Sequence, residues 1–416
     1  MELISLIVLV AAIALAFLFK VNTGLVAVTA ALILGRCAGL TDKWILNAFD
    51  SSLFLMLLGV MYLFCIAQEN KTLELLAKKI LALCKGKVKL FPPILFLLSA
   101  VISAIGPGLI SVTALMAALI VALAKEAEVS PIKLLPFGTL GSFAGGLSPI
   151  TPSGIVAINT ATANGIEGLA APLFWLMALT NVLYAAVLYF PVFKWHRQKT
   201  LTPDGATAQE AVPAFSWKQW ATLAGIIVTA LLTAVLKINV GLAAFAVSVV
   251  LTVIGAANEG VALKKVPWNT LIMITGVGIL ISLITELGGI DLLSKALSAL
   301  MGPVTATPIM TILAGVMSWF SSASGVVMPT LIPTVPTIAA SLPGVSPLAM
   351  TVGLCVGAHL AALSPLSSCG GLMLAAYSSS PEVDAKDRNR TFGQLFAMSA
   401  CGVVFAGLLA LVGLYG

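Results

Sequence analysis

The chain has 416 residues, 60% hydrophobic and only 9% charged, with a mean hydropathy of +1.09. These values lie far outside the range of soluble globular domains and, with recurring apolar runs of about 15 to 20 residues, make it a polytopic all-α membrane protein. The formal charge of +6 falls in loops, so it reports sidedness and gives no reason to expect a nucleic-acid partner. Six cysteines without C-x-x-C spacing, and His196 and His359 as the only histidines, leave no disulfide framework, zinc signature or Ser-His-Asp chemistry. An enzyme and an organic cofactor are therefore not expected.

In chain order, the apolar run Ile4 to Phe19 lacks a basic region before it, and Lys20 follows it, so it reads as a retained first helix. Candidate helices cover 3–19, 23–40 and 51–68. A short amphipathic segment follows, with Leu73, Leu76, Ile80 and Leu83 on one face and Lys71, Glu74 and Lys78 away from it; it is suited to the membrane interface. A re-entrant hairpin is expected over about 92–124, interrupted at Gly106-Pro107-Gly108, because each arm is short for a full crossing. Residues of about 134–165 form a helix broken around Gly145 to Gly154, and a last span covers about 171–192.

The same order then repeats. Lys20-Val21-Asn22-Thr23-Gly24-Leu25 recurs 217 residues later as Lys237-Ile238-Asn239-Val240-Gly241-Leu242, and the same offset takes Gly59-Val60 to Gly276-Val277 and Glu69 to Glu286. An offset of 216 takes Leu147-Ser148-Pro149 to Leu363-Ser364-Pro365. The reading is a first repeat over 1–193, a cytoplasmic linker over 194–216 and a second repeat over 217–416, with its hairpin at about 306–342 and its broken helix at about 347–379. Each repeat crosses five times, an odd number, so the two are inverted and give about ten transmembrane helices plus two hairpins. With both termini extracytoplasmic, eighteen basic residues face the cytoplasm and four (Arg36, Lys43, Lys237 and Lys295) face outward, together the 22 of the chain. A bacterial inner membrane, with lipid around the apolar faces, is the expected location.

Helix breaks inside a bilayer are tolerated where they line a cavity. This chain has four, at Ala104 to Leu109, Gly145 to Gly154, Phe320 to Val326 and Ala362 to Gly371. Each offers a helix N-terminus to an anion and carbonyl oxygens to a small cation; the plainer reading, that small residues let helices pack closely, explains one such break better than four. The side chains there are mostly hydroxyls, with no Lys, Arg, Asp or Glu. A buried anion would thus need co-bound cations, and oxygen ligands suit sodium. His359 is the titratable group near a break; it either contacts a carboxylate or proton, or is a satisfied helix histidine. Glu69 and Glu286, at equivalent positions, read as structural or interfacial, and His196 as a solvated anchor.

Several strings bring a family into view. Ser52-Leu53-Phe54-Leu55, Tyr62-Leu63-Phe64-Cys65-Ile66-Ala67-Gln68 and Gly145-Gly146-Leu147-Ser148-Pro149-Ile150 resemble the MatC-type dicarboxylate carriers of the ion-transporter superfamily, relatives of the divalent anion/sodium symporters. The resemblance implies a homodimer with a scaffold domain and a transport domain that moves as an elevator. It also implies that hairpin tips and broken helices surround the substrate: Gly106, Pro107, Gly108, Ser148, Pro149 and Thr151 in one half, Ser322, Ser324, Gly325, Ser364, Pro365 and Ser367 in the other. Two sodium ions follow from the same resemblance. One is placed among Ser103, Gly106, Gly146, Ser148 and Thr151, the second among Ser318, Ser321, Ala362, Ser364, Ser367 and Ser368. Those symporters carry Ser-Asn-Thr at each tip, whereas this chain has Ala104 to Gly108 and Ser321 to Gly325, which shifts the ion sites toward backbone oxygens.

The function expected is sodium-coupled symport of a small dicarboxylate such as malonate or succinate. Proton-coupled carboxylate transport through His359 and a cation/proton antiporter are same-class alternatives. An anion channel is a different class, disfavoured by hairpins that occlude both faces.

Overall fold

The structure, a computed structural model, describes residues 1–82, 90–126, 129–190, 213–236, 238–378 and 385–416. Lys85, Lys87 and Lys89, among the basic residues expected on the cytoplasmic side, the linker with Lys194, His196, Arg197 and Lys199, and Lys237 lie outside the described residues. Among those described, the ordered elements are all helical.

The first half contains α1 (Glu2–Phe19), α2 (Thr23–Cys37), α3 (Asp42–Asn47), α4 (Ser51–Glu69) and α5 (Thr72–Ala82). It continues with α6 (Phe91–Ala104), α7 (Gly108–Glu126), α8 (Leu135–Gly146), α9 (Pro152–Ala163) and α10 (Ala170–Leu188). The second half repeats the order with α11 (Trp217–Ala234), α12 (Val240–Val253), α13 (Glu259–Lys265), α14 (Trp268–Glu286) and α15 (Gly289–Ser298). Next come α16 (Ala306–Phe320), a π-helical turn (Ala323–Val327), α17 (Met328–Leu331) and α18 (Val335–Ser341). The chain closes with α19 (Pro347–Leu360), α20 (Ser368–Ser378) and α21 (Ala385–Leu411). Helices α4 and α14 are displaced by 217 residues at both ends.

Local sequence explains these boundaries. Asn22 caps α2 by accepting from Gly24 N at 2.8 Å, and Asn239 caps α12 by accepting from Gly241 N at 2.9 Å. Thr41, Asp50 and Asn258 cap α3, α4 and α13 in the same way. On α5, Lys78 pairs with Glu74 at 2.8 Å while Leu73 is buried, the two faces of an amphipathic segment. Helix α2 stops at Cys37, short of residue 40, because Gly39 turns the chain with φ +78°.

Seven helical segments among the described residues are long and apolar enough to cross a membrane, and five shorter apolar helices accompany them. About ten transmembrane helices, besides the two hairpins, were expected from the sequence. The difference lies partly in α2 and α12, whose 15 and 14 residues rise only about 20 Å.

The two halves meet where glycine lets backbone touch backbone. A Cβ on Gly24 would lie 2.1 Å from the Ile272 carbonyl oxygen, and one on Gly276 would lie 2.4 Å from the Gly24 oxygen. Equivalent close approaches bind α4 to α12: a Cβ on Gly59 would lie 2.2 Å from the Gly241 oxygen, and one on Gly241 would lie 2.3 Å from Met56 Cα. The shift of 217 residues exchanges the two crossings, since Gly24 becomes Gly241 and Gly59 becomes Gly276. Asn22 reinforces the first by donating to the Asn269 carbonyl at 2.7 Å.

Similar approaches seat each hairpin on its own half's broken helix. Cβ atoms on Gly141 and Gly145 of α8 would lie 2.1 Å from the carbonyl oxygens of Phe96 and Ala100 on α6. On α19, a Cβ on Gly357 would lie 2.0 Å from the Thr311 oxygen of α16. The hairpins then cross over: α7 packs against α20, and the second hairpin packs against α9.

Gly276→Ala is expected to cost about 1–3 kcal/mol by overpacking, seen as a lower melting temperature in detergent. Gly278→Ala, two residues along the same helix with nothing within 4 Å of its Cβ, should melt at or above the parent temperature.

Candidate functional site

The two broken helices are interrupted by the same device. After α8 ends at Gly146, the Thr151 hydroxyl lies 2.7 Å from both the Gly146 and Ser148 carbonyl oxygens and accepts from Gly154 N at 3.2 Å. In the other half the Ser367 hydroxyl lies 2.5 Å from the Ala362 oxygen and 2.7 Å from the Ser364 oxygen, and accepts from Gly370 N at 3.3 Å. Gly154 and Gly370 must be glycine, because a Cβ on either would lie 2.0 Å from the Ser148 or Ser364 oxygen respectively. One hydroxyl therefore caps the following helix and closes the loop onto the preceding one, which lets an interrupted backbone persist away from water.

The hairpin tips differ from each other. Gly106 adopts φ +140° with its Cα face against the Phe64 ring, and Gly108 adopts φ +79° beside Pro152. The second tip turns through extended Ser321, whose hydroxyl donates to the Met317 oxygen at 2.9 Å. Ser322 then caps the π-helical turn by accepting from Gly325 N at 3.1 Å, and Gly325 packs on Met273.

A small cavity forms where the first tip, the start of α9 and the second tip meet the inner faces of α4 and α14. Pro107, Gly108, Ser111, Ser153 and Ser324 reach it from the tips and α9; Met61, Phe64, Cys65 and Gln68 reach it from α4, and Pro267, Thr270 and Ile274 from the α14 side. Its polar groups are hydroxyls and one amide, with no charged side chain among the lining residues. A larger cleft runs further along α4, α9 and α14, with Asp50, Asn159, Asn164, Thr275, Thr285 and Glu286 on its walls.

Of the residues expected around the substrate, Pro107, Gly108 and Ser324 line the smaller cavity. Thr151 is buried one residue before Pro152, which does line it, and Ser148 is buried with it, while Pro149 is exposed. Gly106, Ser322 and Gly325 shape the tips without lining the cavity. Ser364, Pro365 and Ser367 sit at the second break and do not line it either; there α20 packs on α7, with the Thr113 hydroxyl meeting the Cys369 thiol.

Of the expected ion ligands, Ser103 is buried with its hydroxyl unpartnered among the described residues, Ser318 is buried, and Ser321 and Ser367 spend their hydroxyl protons on backbone carbonyls. Gly146 and Ala362 offer carbonyl oxygens that already accept one hydroxyl each, and Ser368 is exposed. His359 is buried; its Nδ1 lies 2.7 Å from the Cys355 oxygen and its Nε2 has no hydrogen-bond partner among the described residues.

Sequence reasoning missed the α4 and α14 side of the cavity. Gln68, a lone amide closing an apolar helix, was the available signal. Thr151→Val should leave two buried carbonyls and Gly154 N without their hydroxyl and cost about 1–3 kcal/mol, measured as a drop in melting temperature. Thr151→Ser, which places in this half the residue type of Ser367, should melt close to the parent.

Residues 1–146 match the family model described as the dicarboxylate carrier protein MatC N-terminus, a match that ends with the last residue of α8. No curated protein matches the chain in sequence. Among solved structures, the YdaH transporter of Alcanivorax borkumensis superposes with a TM-score of 0.60 at 14% identity, over 88% of this chain and 87% of that one. MtrF of Neisseria gonorrhoeae, described within a class of antimetabolite efflux pumps, superposes with a TM-score of 0.58 at 15% identity, over 92% and 83%. At these identities the likeness is one of fold. The chain is thus a multi-pass membrane protein whose residues 1–146 match the MatC N-terminus family model and whose fold is like that of solved transporters.

Proposed function

We propose that this protein is a sodium-coupled symporter of a small dicarboxylate, malonate or a C4 acid such as succinate. The observation that carries the reading is the cavity at the hairpin tips, whose mostly apolar wall carries the hydroxyls of Ser111, Ser153, Thr270 and Ser324 and the Gln68 amide but no basic side chain. A dianion held there has no fixed positive partner, and an unpaired buried charge is prohibitively costly. Co-bound sodium supplies the missing charge. The carbonyl oxygens of Gly146 and Ala362 each face one hydroxyl and keep a second lone pair, so they remain able to ligate it, whereas those of Ser148 and Ser364 also accept the backbone N–H of Thr151 and Ser367. The dicarboxylate is suggested by the family whose N-terminal model residues 1–146 match.

The architecture we propose for this transport is a pair of inverted repeats, with α1 to α5 and α11 to α15 as scaffold and the hairpins with the broken helices as the moving body. Support comes from the exchange of the Gly24–Gly276 and Gly59–Gly241 crossings under one shift, and from the hydroxyl device shared by both breaks. A homodimer in a bacterial inner membrane, with both termini extracytoplasmic, completes the proposal.

In proteoliposomes, uptake of labelled malonate or succinate should rise when an inward sodium gradient replaces potassium or choline. Uptake indifferent to the cation would overturn the coupling. A screen of mono-, di- and tricarboxylates by thermal shift should show dicarboxylates stabilising the protein, and more so with sodium present.

A proton-coupled reading rests on one observation, the unpartnered Nε2 of His359. If sodium is the coupling ion, His359→Gln should keep sodium-driven uptake; abolished uptake in a variant that still melts cooperatively would favour the proton.

A further inference from the structure

The cavity at the hairpin tips and the larger polar cleft lie in tandem along the same elements. On α9, Ser153 borders the first and Asn159 the second; on α14 the pair is Thr270 and Thr285, and in the second hairpin it is Ser324 and Pro329. On α4 the order is reversed in sequence, Phe64 at the cavity and Leu53 at the cleft. The two spaces therefore follow each other along one line, bounded by the same helices.

Ile274 lines both and is itself buried. Side-chain contacts link the elements around it. Asn159 Nδ2 reaches across from α9 to Met56 Sδ of α4 at 3.7 Å, and Met273 is pressed against Gly325 of the second tip. An apolar side chain between two spaces whose walls carry polar groups excludes water more effectively than a polar one, because it offers no hydrogen bond to a crossing molecule.

We propose that the cavity and the cleft are two compartments of one translocation path and that the Ile274 side chain is the barrier between them. The inference rests on the transporter reading but not on any substrate or coupling ion. Truncating Ile274 should join the compartments, and a smaller truncation should join them partly.

The test uses reporter cysteines and a small membrane-impermeant thiol reagent on sealed vesicles of both orientations, with modified sites identified by peptide mass mapping so that the native cysteines stay in place. Thr285→Cys, in the cleft, defines the face from which the cleft is reached. Ser111→Cys, in the tip cavity, is then probed from that face. With Ile274 present its modification should be slow. With Ile274→Ala it should be about tenfold faster, equivalent to a barrier lowered by ~1.4 kcal/mol, and with Ile274→Val it should fall between. Leu280→Ala, a buried position on α14 that borders neither space, should leave the rate unchanged. The proposal is overturned if Ile274→Ala and Ile274→Val both label at the parent rate, if the parent already labels fast, or if Leu280→Ala accelerates labelling as much. Because no solute is transported in this assay, its failure is distinguishable from failure of the dicarboxylate reading, which the uptake experiment judges separately.

Discussion

Backbone meets backbone at four glycines, and the arrangement of the rest follows from that contact. Gly24 against Gly276 and Gly59 against Gly241 bring α2 onto α14 and α4 onto α12 closer than any side chain would allow. In a membrane there is little hydrophobic gain in bringing two apolar helices together, so dispersion at close range and the geometry of small residues decide which helices pair. Each crossing takes one helix from each half. The two halves are consequently interlocked, and α4 and α14 are held with their inner faces toward the hairpin tips.

A second constraint acts where the helices are interrupted. An open loop in hydrocarbon leaves polar backbone groups without water. Thr151 and Ser367 answer this with one hydroxyl each, which bridges the two helix segments and caps the second. The glycine three residues later is obligatory because the loop carbonyl occupies the place of its Cβ. The loop that results is closed by its own hydrogen bonds, which orient its carbonyls. The hairpin tips are less alike. Gly106 and Gly108 turn through conformations that a residue with a Cβ adopts only under strain, whereas Ser322 opens a π-helical turn. The first tip contributes Pro107 and Gly108 to the cavity, the second a hydroxyl from Ser324.

Helix positions were legible because the bilayer writes them into composition: long apolar runs, Gly and Pro at interruptions, Asn and Asp at caps. The break near Gly145 to Gly154 is visible as a cluster of small residues and prolines, and α8 and α9 end and begin within it. Helix α3 was not visible, since six residues carry too little periodicity to separate a helix from a loop. The cavity was legible on one side only. Pro107, Gly108 and Ser324 sit at interruptions that a reader of sequence can find, but Phe64, Cys65 and Ile274 lie in helices that are apolar nearly all round, where no face is marked as inner.

What the sequence by itself determined is the membrane class, the repeated order of elements, the places where helices break and the poverty of charge at those places. Each is a local property, set by hydropathy, by the conformational freedom of glycine and by capping groups. Only the tertiary structure decided that each hairpin seats on its own half's broken helix yet reaches across to the other half's, and that Thr151 and Ser367 turn their hydroxyls inward to close their own loops. It alone decided that the first break borders the cavity while Ser364, Pro365 and Ser367 lie away from it. The reason is that these outcomes depend on which apolar face meets which, and faces of equal hydrophobicity are told apart only by shape, once the whole chain is packed.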